Sequence, residues 1–201
     1  MIERRPLEIG VFEDIEVAKK YDKEARLWAR YVAKSFVSVA KKWGIARGRV
    51  LDVGTGTGTL ALEFARSLPG IEVVGLDLSK VVLELARENA QESEVSSRVS
   101  FEHGDAEEMS FEAETFDLVV SSNTLHLIKN PIRMSDEIQR VLNPKGKFLI
   151  SDFRRSWLGL FGGHLRASYT PCEVRELLTK SKLHNWQVQD RFFWLSIMSK
   201  T

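Results

Sequence analysis

The sequence predicts an α/β fold built on a mostly parallel sheet with helices on both faces. Three observations carry that expectation. From residue 49 onward, short apolar runs alternate with longer amphipathic segments, and such alternation requires crossovers that return over the sheet and leave neighbouring strands parallel. The runs themselves, such as Phe116-Asp117-Leu118-Val119-Val120, are nearly continuous in apolar character, as strands covered on both faces are. Finally, 201 residues with 43% hydrophobic and 28% charged content suit one domain with a sizeable core and do not suit disordered or fibrous chains.

The elements follow in order. Residues 14–44 read as a helix, because Val32, Phe36, Val39 and Trp43 recur at spacings of three and four and no proline interrupts them; Gly44 is the stop. Residues 49–53 read as a strand ending at a glycine cluster, and 58–68 as a helix closed by Pro69-Gly70. Strand 71–77 comes next, then a helix over 79–93 capped by Ser79, with Val82, Leu85 and Ala86 on one face. Strands are expected at 98–105, 116–122 and 146–153, with a helix at 132–142 ended by Asn143-Pro144. Thr170 caps a further helix over 170–182 with Pro171 at its first position. Residues 186–198 supply two closing strands. No repeat or low-complexity linker divides the chain, so a single domain over 1–201 is expected, an N-terminal helical cap (1–45) on a core (46–201).

Charge and composition exclude several partner classes. Acidic and basic residues number 28 and 29, for a net charge of +1, so no global field draws the chain to nucleic acid or anionic lipid. No apolar run approaches the length needed to cross a bilayer, and residues 1–24 hold no apolar targeting core. The lone cysteine, Cys172, points to a reducing, cytoplasmic setting.

In open parallel sheets, ligands bind at the carboxyl ends of the strands, where strand order reverses, so the residues just after each strand carry the functional argument. After the first strand stand Asp52-Val53-Gly54-Thr55-Gly56-Thr57-Gly58. Alternating glycines allow a sharp turn and close ligand approach; a plain strand-to-helix turn would use them too. A dinucleotide fingerprint fails in one frame, where Thr59 holds the last glycine position, and survives in another as Gly56, Gly58 and Ala61. Asp77 ends the second strand 19 positions after Gly58, near the spacing of about 20 at which an acid takes a ribose diol; a helix cap is the competing role. Asp105 follows the third strand, where its carboxylate and the Ala106 amide can read adenine; a solvated loop aspartate is the alternative.

Together, VLDVGTGTG (50–58), GLDLS (75–79), HGDAEEMSF (103–111), FDLVVSSNTLHLIKNP (116–131) and VLNPKGKFLISDF (141–153) resemble the class I S-adenosylmethionine-dependent methyltransferases. The likeness is to the small-molecule, quinone-biosynthesis-like type and covers about residues 20 to 200. It implies a Rossmann-like doubly wound sheet of seven strands, mostly parallel with an antiparallel last strand. It also implies S-adenosylmethionine as cofactor and S-adenosylhomocysteine as product. The loop of Gly54, Thr55, Gly56 and Gly58 then passes under the amino-acid end of the cofactor, and Asp52 orients its ammonium. Asp77, with Leu78, takes the ribose, Asp105-Ala106 the adenine, and Ser122 and Asn123 the methionine portion, while Tyr21 closes over the site.

The implied reaction is an in-line displacement on a small acceptor. Alternatives are a catalytically silent cofactor-binding partner or sensor, an RNA methyltransferase and a nicotinamide-dependent oxidoreductase. His126, just past the fourth strand, is the candidate general base, since imidazole accepts protons near neutrality; a packing histidine is the other reading. His103, His164 and His184 show no metal-ligand spacing, so no metal is expected. Substrate contacts are expected from the N-terminal helices and residues 153–169. There Trp157, Leu158, Leu160 and Phe161 can form a lid hinged at Gly162-Gly163, or a homodimer contact. Arg154, Arg155 and Arg166 can hold an anion, with Tyr169 beside them. The absence of a basic stripe makes a nucleic-acid substrate a poor fit.

Overall fold

The computed structural model describes residues 3–7, 14–156 and 162–200, with the backbone alone at Tyr21, Ala25 and Arg26. A long helix, α1 (Ile15–Lys42), opens the fold; the Asp14 carboxylate caps it by accepting from the Glu16 and Val17 amides at 2.8 and 3.4 Å. Then follow β1 (Arg47–Val53), α2 (Thr59–Ser67), β2 (Gly70–Asp77), α3 (Lys80–Gln91), β3 (Val99–His103) and β4 (Phe116–Ser122). The chain continues through α4 (Pro131–Val141), β5 (Leu142–Phe153), α5 (Gly163–Ala167), α6 (Pro171–Lys180), β6 (Trp186–Asp190) and β7 (Trp194–Ser199). Ser79 caps α3 as expected, and Thr170 and Glu173 cap α6 reciprocally, with Pro171 in its first turn.

The strands form one seven-stranded sheet in the order β3-β2-β1-β4-β5-β7-β6. All pairings from β3 to β5 are parallel, whereas β7 runs antiparallel to both β5 and β6. The chain winds outward from β1 in one direction and from β4 in the other, so the order reverses between β1 and β4. Strand side chains alternate between two cores. Val50, Val73, Leu118 and Val120 pack under Phe36, Phe64 and Leu83 of α1, α2 and α3. Leu51, Val53, Val119 and Ile150 pack under Met134, Ile138, Val174 and Leu178 of α4 and α6.

Two local features differ from the sequence expectation. Asn143-Pro144 does not open a loop: β5 begins at Leu142, and its pairing with β4 shifts register between Phe116 and Leu118. The Asn143 side-chain amide donates to the Asp117 carboxylate there, which secures the irregular start. Two single-turn 3-10 segments, Ser96–Arg98 and Leu125–Leu127, and the short α5 also form where loops were expected. Among the described residues, no helix is long and apolar enough to cross a membrane.

Candidate active site

A cavity of about 500 Å³ lies at the carboxyl ends of the strands, over the reversal between β1 and β4. Its volume is in the range of small-molecule and cofactor pockets. The loop after β1 forms the floor. The amides of Gly54 and Thr55 both donate to the Leu76 carbonyl, at 2.8 and 3.0 Å, which folds the loop over the end of β2. Gly54 has φ +71, and a β-carbon there would stand 2.2 Å from Thr124 Oγ1, so glycine is required by both backbone and space. Gly56 also has a positive φ, +55, but a β-carbon on it would meet nothing within 4 Å. That face is open to a ligand. From above, Thr57 donates its hydroxyl to Asp22 of α1, and from the side the Asn89 amide donates to the Thr57 carbonyl at 3.0 Å.

The acids behind the loop are held in strained electrostatics. Asp52 is 1% exposed and accepts from the Thr55 hydroxyl at 2.7 Å. Burial pushes its carboxyl up to about 7, and the neighbouring Asp77 adds to the rise while the Thr55 bond opposes it. Asp77 accepts from the Gly56 amide through one oxygen and the Ser79 amide through the other, each at 2.9 Å. Burial raises its pKa as well, against the lowering effect of these amides. One carboxylate thus ties the glycine loop to the start of α3.

Nine residues expected around a cofactor line this cavity with Asp52: Gly54, Thr55, Gly56, Asp77, Leu78, Asp105, Ala106, Ser122 and Asn123. Asp105 is exposed and uses one oxygen to accept from the Glu107 amide at 2.8 Å. Asn123 sits at φ 56, and its side-chain oxygen is buried without a hydrogen-bond partner. Gly58 is not in the lining: it is the N-cap of α2, where a β-carbon would collide with Phe101. The Tyr21 side chain and the whole of Trp157, with the expected lid residues up to Phe161, lie outside the described residues.

The substrate candidates fare differently. Arg154 pairs with Asp190 of β6 at 2.8 Å and does not line the cavity, so β6 rather than an anionic ligand satisfies it. Tyr169 also stays out of the lining; the Arg4 guanidinium lies 4.1 Å over its ring. His126 is not at the rim. It is 2% exposed, because Asp152 holds both its backbone amide (2.8 Å) and its Nδ1 (2.7 Å), and its Nε2 lies 2.9 Å from His164 Nδ1. Among the described residues, no group of three or more His, Cys, Asp or Glu is placed to hold a metal ion.

The sequence reading missed the apolar wall. Trp28, Val32, Leu127, Ile128 and Phe153 face the same cavity as the acids. Trp28 stacks between Tyr31 and Trp194, and Trp194 stacks in turn on Phe153, with ring centroids 5.4, 5.4 and 4.8 Å apart. Leu27 and Tyr31 are 83% and 66% exposed beside them. The signal available in the sequence was an apolar pair, Leu27 and Trp28, adjoining the core stripe of α1.

A family model described as a methyltransferase domain matches residues 46–191. The ubiquinone/menaquinone biosynthesis C-methyltransferase UbiE of Geobacter sp. (strain M21) is 34% identical over 148 residues, 72% of this chain and 63% of that protein. The demethylmenaquinone methyltransferase of Deinococcus radiodurans is 33% identical over 152 residues, 75% of this chain and 62% of that protein. The chain therefore spans under two thirds of the length of these relatives. The crystal structure of an S-adenosylmethionine-dependent methyltransferase from Aquifex aeolicus superposes with a TM-score of 0.75 at 20% identity, covering 92% of this chain and 97% of that one, and shows the same fold. Glycine loop, ordered acids, sheet order and family match agree: the chain belongs to the methyltransferase-domain family, within the class I S-adenosylmethionine-dependent methyltransferases.

Proposed function

We propose that the protein moves a methyl group from S-adenosylmethionine to a carbon of a small quinol-like acceptor. The observation that carries this reading is one cavity with two chemistries: a polar cradle ending in Asp77 and Asp105, and an apolar wall of Trp28, Val32, Leu127, Ile128 and Phe153. The residues present fit the cofactor. Gly56 leaves open space where bare backbone is needed, and the orphaned Asn123 oxygen calls for a ligand donor such as an ammonium. When bound, the cofactor supplies an activated methyl on a sulfonium.

The chain's own work is binding, orientation and exclusion of water. Asp77 accepts from the ribose hydroxyls while keeping its hold on the Gly56 and Ser79 amides. Asp105 and the Ala106 backbone read the adenine edge. Asp52, through Thr55, and Asn123 hold the amino-acid end. The aromatic wall sets a flat ring against the methyl; such alignment contributes about 7–11 kcal/mol in well-oriented reactions. The names of the two quinone-pathway relatives support the acceptor class, and the stacked rings that continue from Phe153 to Tyr31 suit an apolar substituent on it.

The test joins calorimetry with S-adenosylhomocysteine to label transfer from methyl-labelled S-adenosylmethionine onto a reduced 1,4-naphthoquinone bearing a prenyl chain. Saturable binding and label on a ring carbon are expected. Binding without label transfer to reduced naphtho- or benzoquinones refutes the acceptor class. No binding refutes the whole reading.

A further inference from the structure

The face of α1 turned away from the core carries apolar side chains in a basic surround. Leu27 and Tyr31 are one helical turn apart and mostly exposed. Exposed Lys20, Lys23, Arg30 and Lys34 stand three, four or seven positions from Leu27, which places them on the same face. Glu24, one turn before Leu27, is an acid among them. The opposite face buries Ala18, Ala33, Phe36 and Ala40. The helix holds eight basic and three acidic residues, whereas the whole chain has a net charge of +1. The rest of the molecule is therefore acidic on balance, and the near-neutral total hides a positive surface concentrated on α1.

Trp28 joins this face to the turn between β6 and β7. Its ring stacks on Trp194 at 5.4 Å. Phe192 and Phe193, immediately before Trp194, are 65% and 47% exposed, with ring centroids 4.6 Å apart. Arg191 is exposed at the same turn, where its amide donates to the Trp194 carbonyl at 2.9 Å, while the neighbouring Asp190 is taken up by Arg154. The turn lies at the carboxyl end of β5, because Phe153 pairs with Trp194. The apolar wall of the cavity thus continues from Phe153 through Trp194 and Trp28 to open surface. Exposed large apolar side chains that run together at a cavity mouth mark an interaction surface.

We propose that this face docks on the surface of an anionic lipid bilayer, with the cavity mouth toward the lipid. The docking is read from the surface alone; its use, delivery of an apolar acceptor from bilayer to cavity, rests on the acceptor reading above. Tryptophan, tyrosine and phenylalanine settle at the boundary between headgroups and acyl chains. A helix face with Leu and Tyr flanked by Lys and Arg is suited to lie in that boundary. Lys20, Lys23, Arg30 and Lys34 then meet anionic headgroups. A second copy of the same face would instead set these cations against their own equivalents, at a like-charge cost. A bilayer also fits the continuity of the patch with the cavity wall, since a solute in the acyl region has an apolar path to Phe153.

The experiment sediments the full chain, without cofactor or acceptor, with vesicles of phosphatidylcholine alone or mixed with phosphatidylserine, at low and high salt. Saturable binding to the mixed vesicles, weakened by salt and weak on phosphatidylcholine alone, is expected. Lys23→Gln/Lys34→Gln should bind the mixed vesicles about 25-fold more weakly, about fivefold per charge. Leu27→Ser/Phe192→Ser should lose at least about tenfold, as apolar contacts with the acyl boundary are removed. Both variants should keep the wild-type Tm and S-adenosylhomocysteine affinity. No binding, equal binding to both vesicles, or variants that sediment like wild type overturn the proposal. Loss with the lysine pair alone assigns the face to polyanions in general and also overturns it. So does a wild type that dimerises in ultracentrifugation and becomes monomeric with Leu27→Ser/Phe192→Ser, which assigns the face to a second copy. Vesicle binding that persists while no reduced quinone takes label refutes the acceptor reading and leaves the docking standing.

Discussion

Replacing Asp52 by asparagine removes a charge that the fold keeps almost fully out of water. The native carboxyl titrates near 7 against 3.8 when unfolded, with burial the main cause. Below pH 3.8 the group is neutral in both states and costs nothing. Between the two values the unfolded chain gives up a proton that the native state retains, so stability falls as pH rises; above about 7 the penalty saturates. At about 1.4 kcal/mol per pH unit, saturation lies near 4 kcal/mol, of which about 3 kcal/mol develops between pH 5 and pH 8. The substituted amide keeps an oxygen for the Thr55 hydroxyl but never ionises, and any penalty for burying it is constant with pH. Relative to wild type, the unliganded Asp52→Asn protein should therefore gain about 3 kcal/mol on going from pH 5 to pH 8, or about 5–10 °C in Tm for a domain of this size. Scanning calorimetry at the two pH values reads it. With S-adenosylhomocysteine present the gain of Asp52→Asn at pH 8 should shrink, because on the proposed reading an ionised Asp52 supports the ligand's amino end through Thr55. A Tm difference that does not change with pH, or shrinks as pH rises, would refute this account of Asp52.

Three further substitutions separate binding from folding. Asp77→Ala should weaken S-adenosylhomocysteine by about 10- to 100-fold in calorimetry, since hydrogen bonds to a charged group contribute about 1.5–3 kcal/mol; it should also lower Tm by leaving the Gly56 and Ser79 amides without their acceptor. Gly54→Ala should cost about 2–5 kcal/mol in denaturant unfolding, from a left-handed backbone and a β-carbon driven into Thr124, and a loss below about 1 kcal/mol contradicts the packing described. Trp28→Ala, at a side chain 46% exposed, should lower stability by about 1 kcal/mol or less yet raise the acceptor KM about tenfold, measured by label transfer; an unchanged KM removes the aromatic wall from the acceptor site.

What was legible in the sequence follows from how tightly physics restricts residue type. Gly54 stands out because its backbone angle and its clearance both favour a residue without a side chain, Gly56 because its backbone angle does, and Thr170 and Pro171 because helix starts leave amides in need of an acceptor. Helices and strands showed through periodicity, and Asn143-Pro144 ended α4 as read, but the next strand starts earlier than expected, at Leu142, where the Asn143 amide donates to Asp117. The Asp152–His126–His164 chain was hidden: its histidines are 38 positions apart, and only the return of α5 against the 3-10 turn at Leu125–Leu127 joins them. Arg154 looked available for a ligand because nothing in the sequence shows that β6 delivers Asp190 to it. Trp28 lay next to a stripe of core residues and was absorbed into the helix reading.

The stack of Tyr31, Trp28, Trp194 and Phe153 has an optical consequence. Two of the chain's five tryptophans stand in one column, Trp28 at the cavity wall and Trp194 stacked between it and Phe153, so their ultraviolet emission is exposed to whatever lies against Phe153. An oxidised quinone is an electron acceptor that extinguishes excited indoles on contact, whereas its reduced form is a far weaker quencher. On the proposed quinol-acceptor reading, emission from this column should report the redox form of a bound quinone without any attached dye.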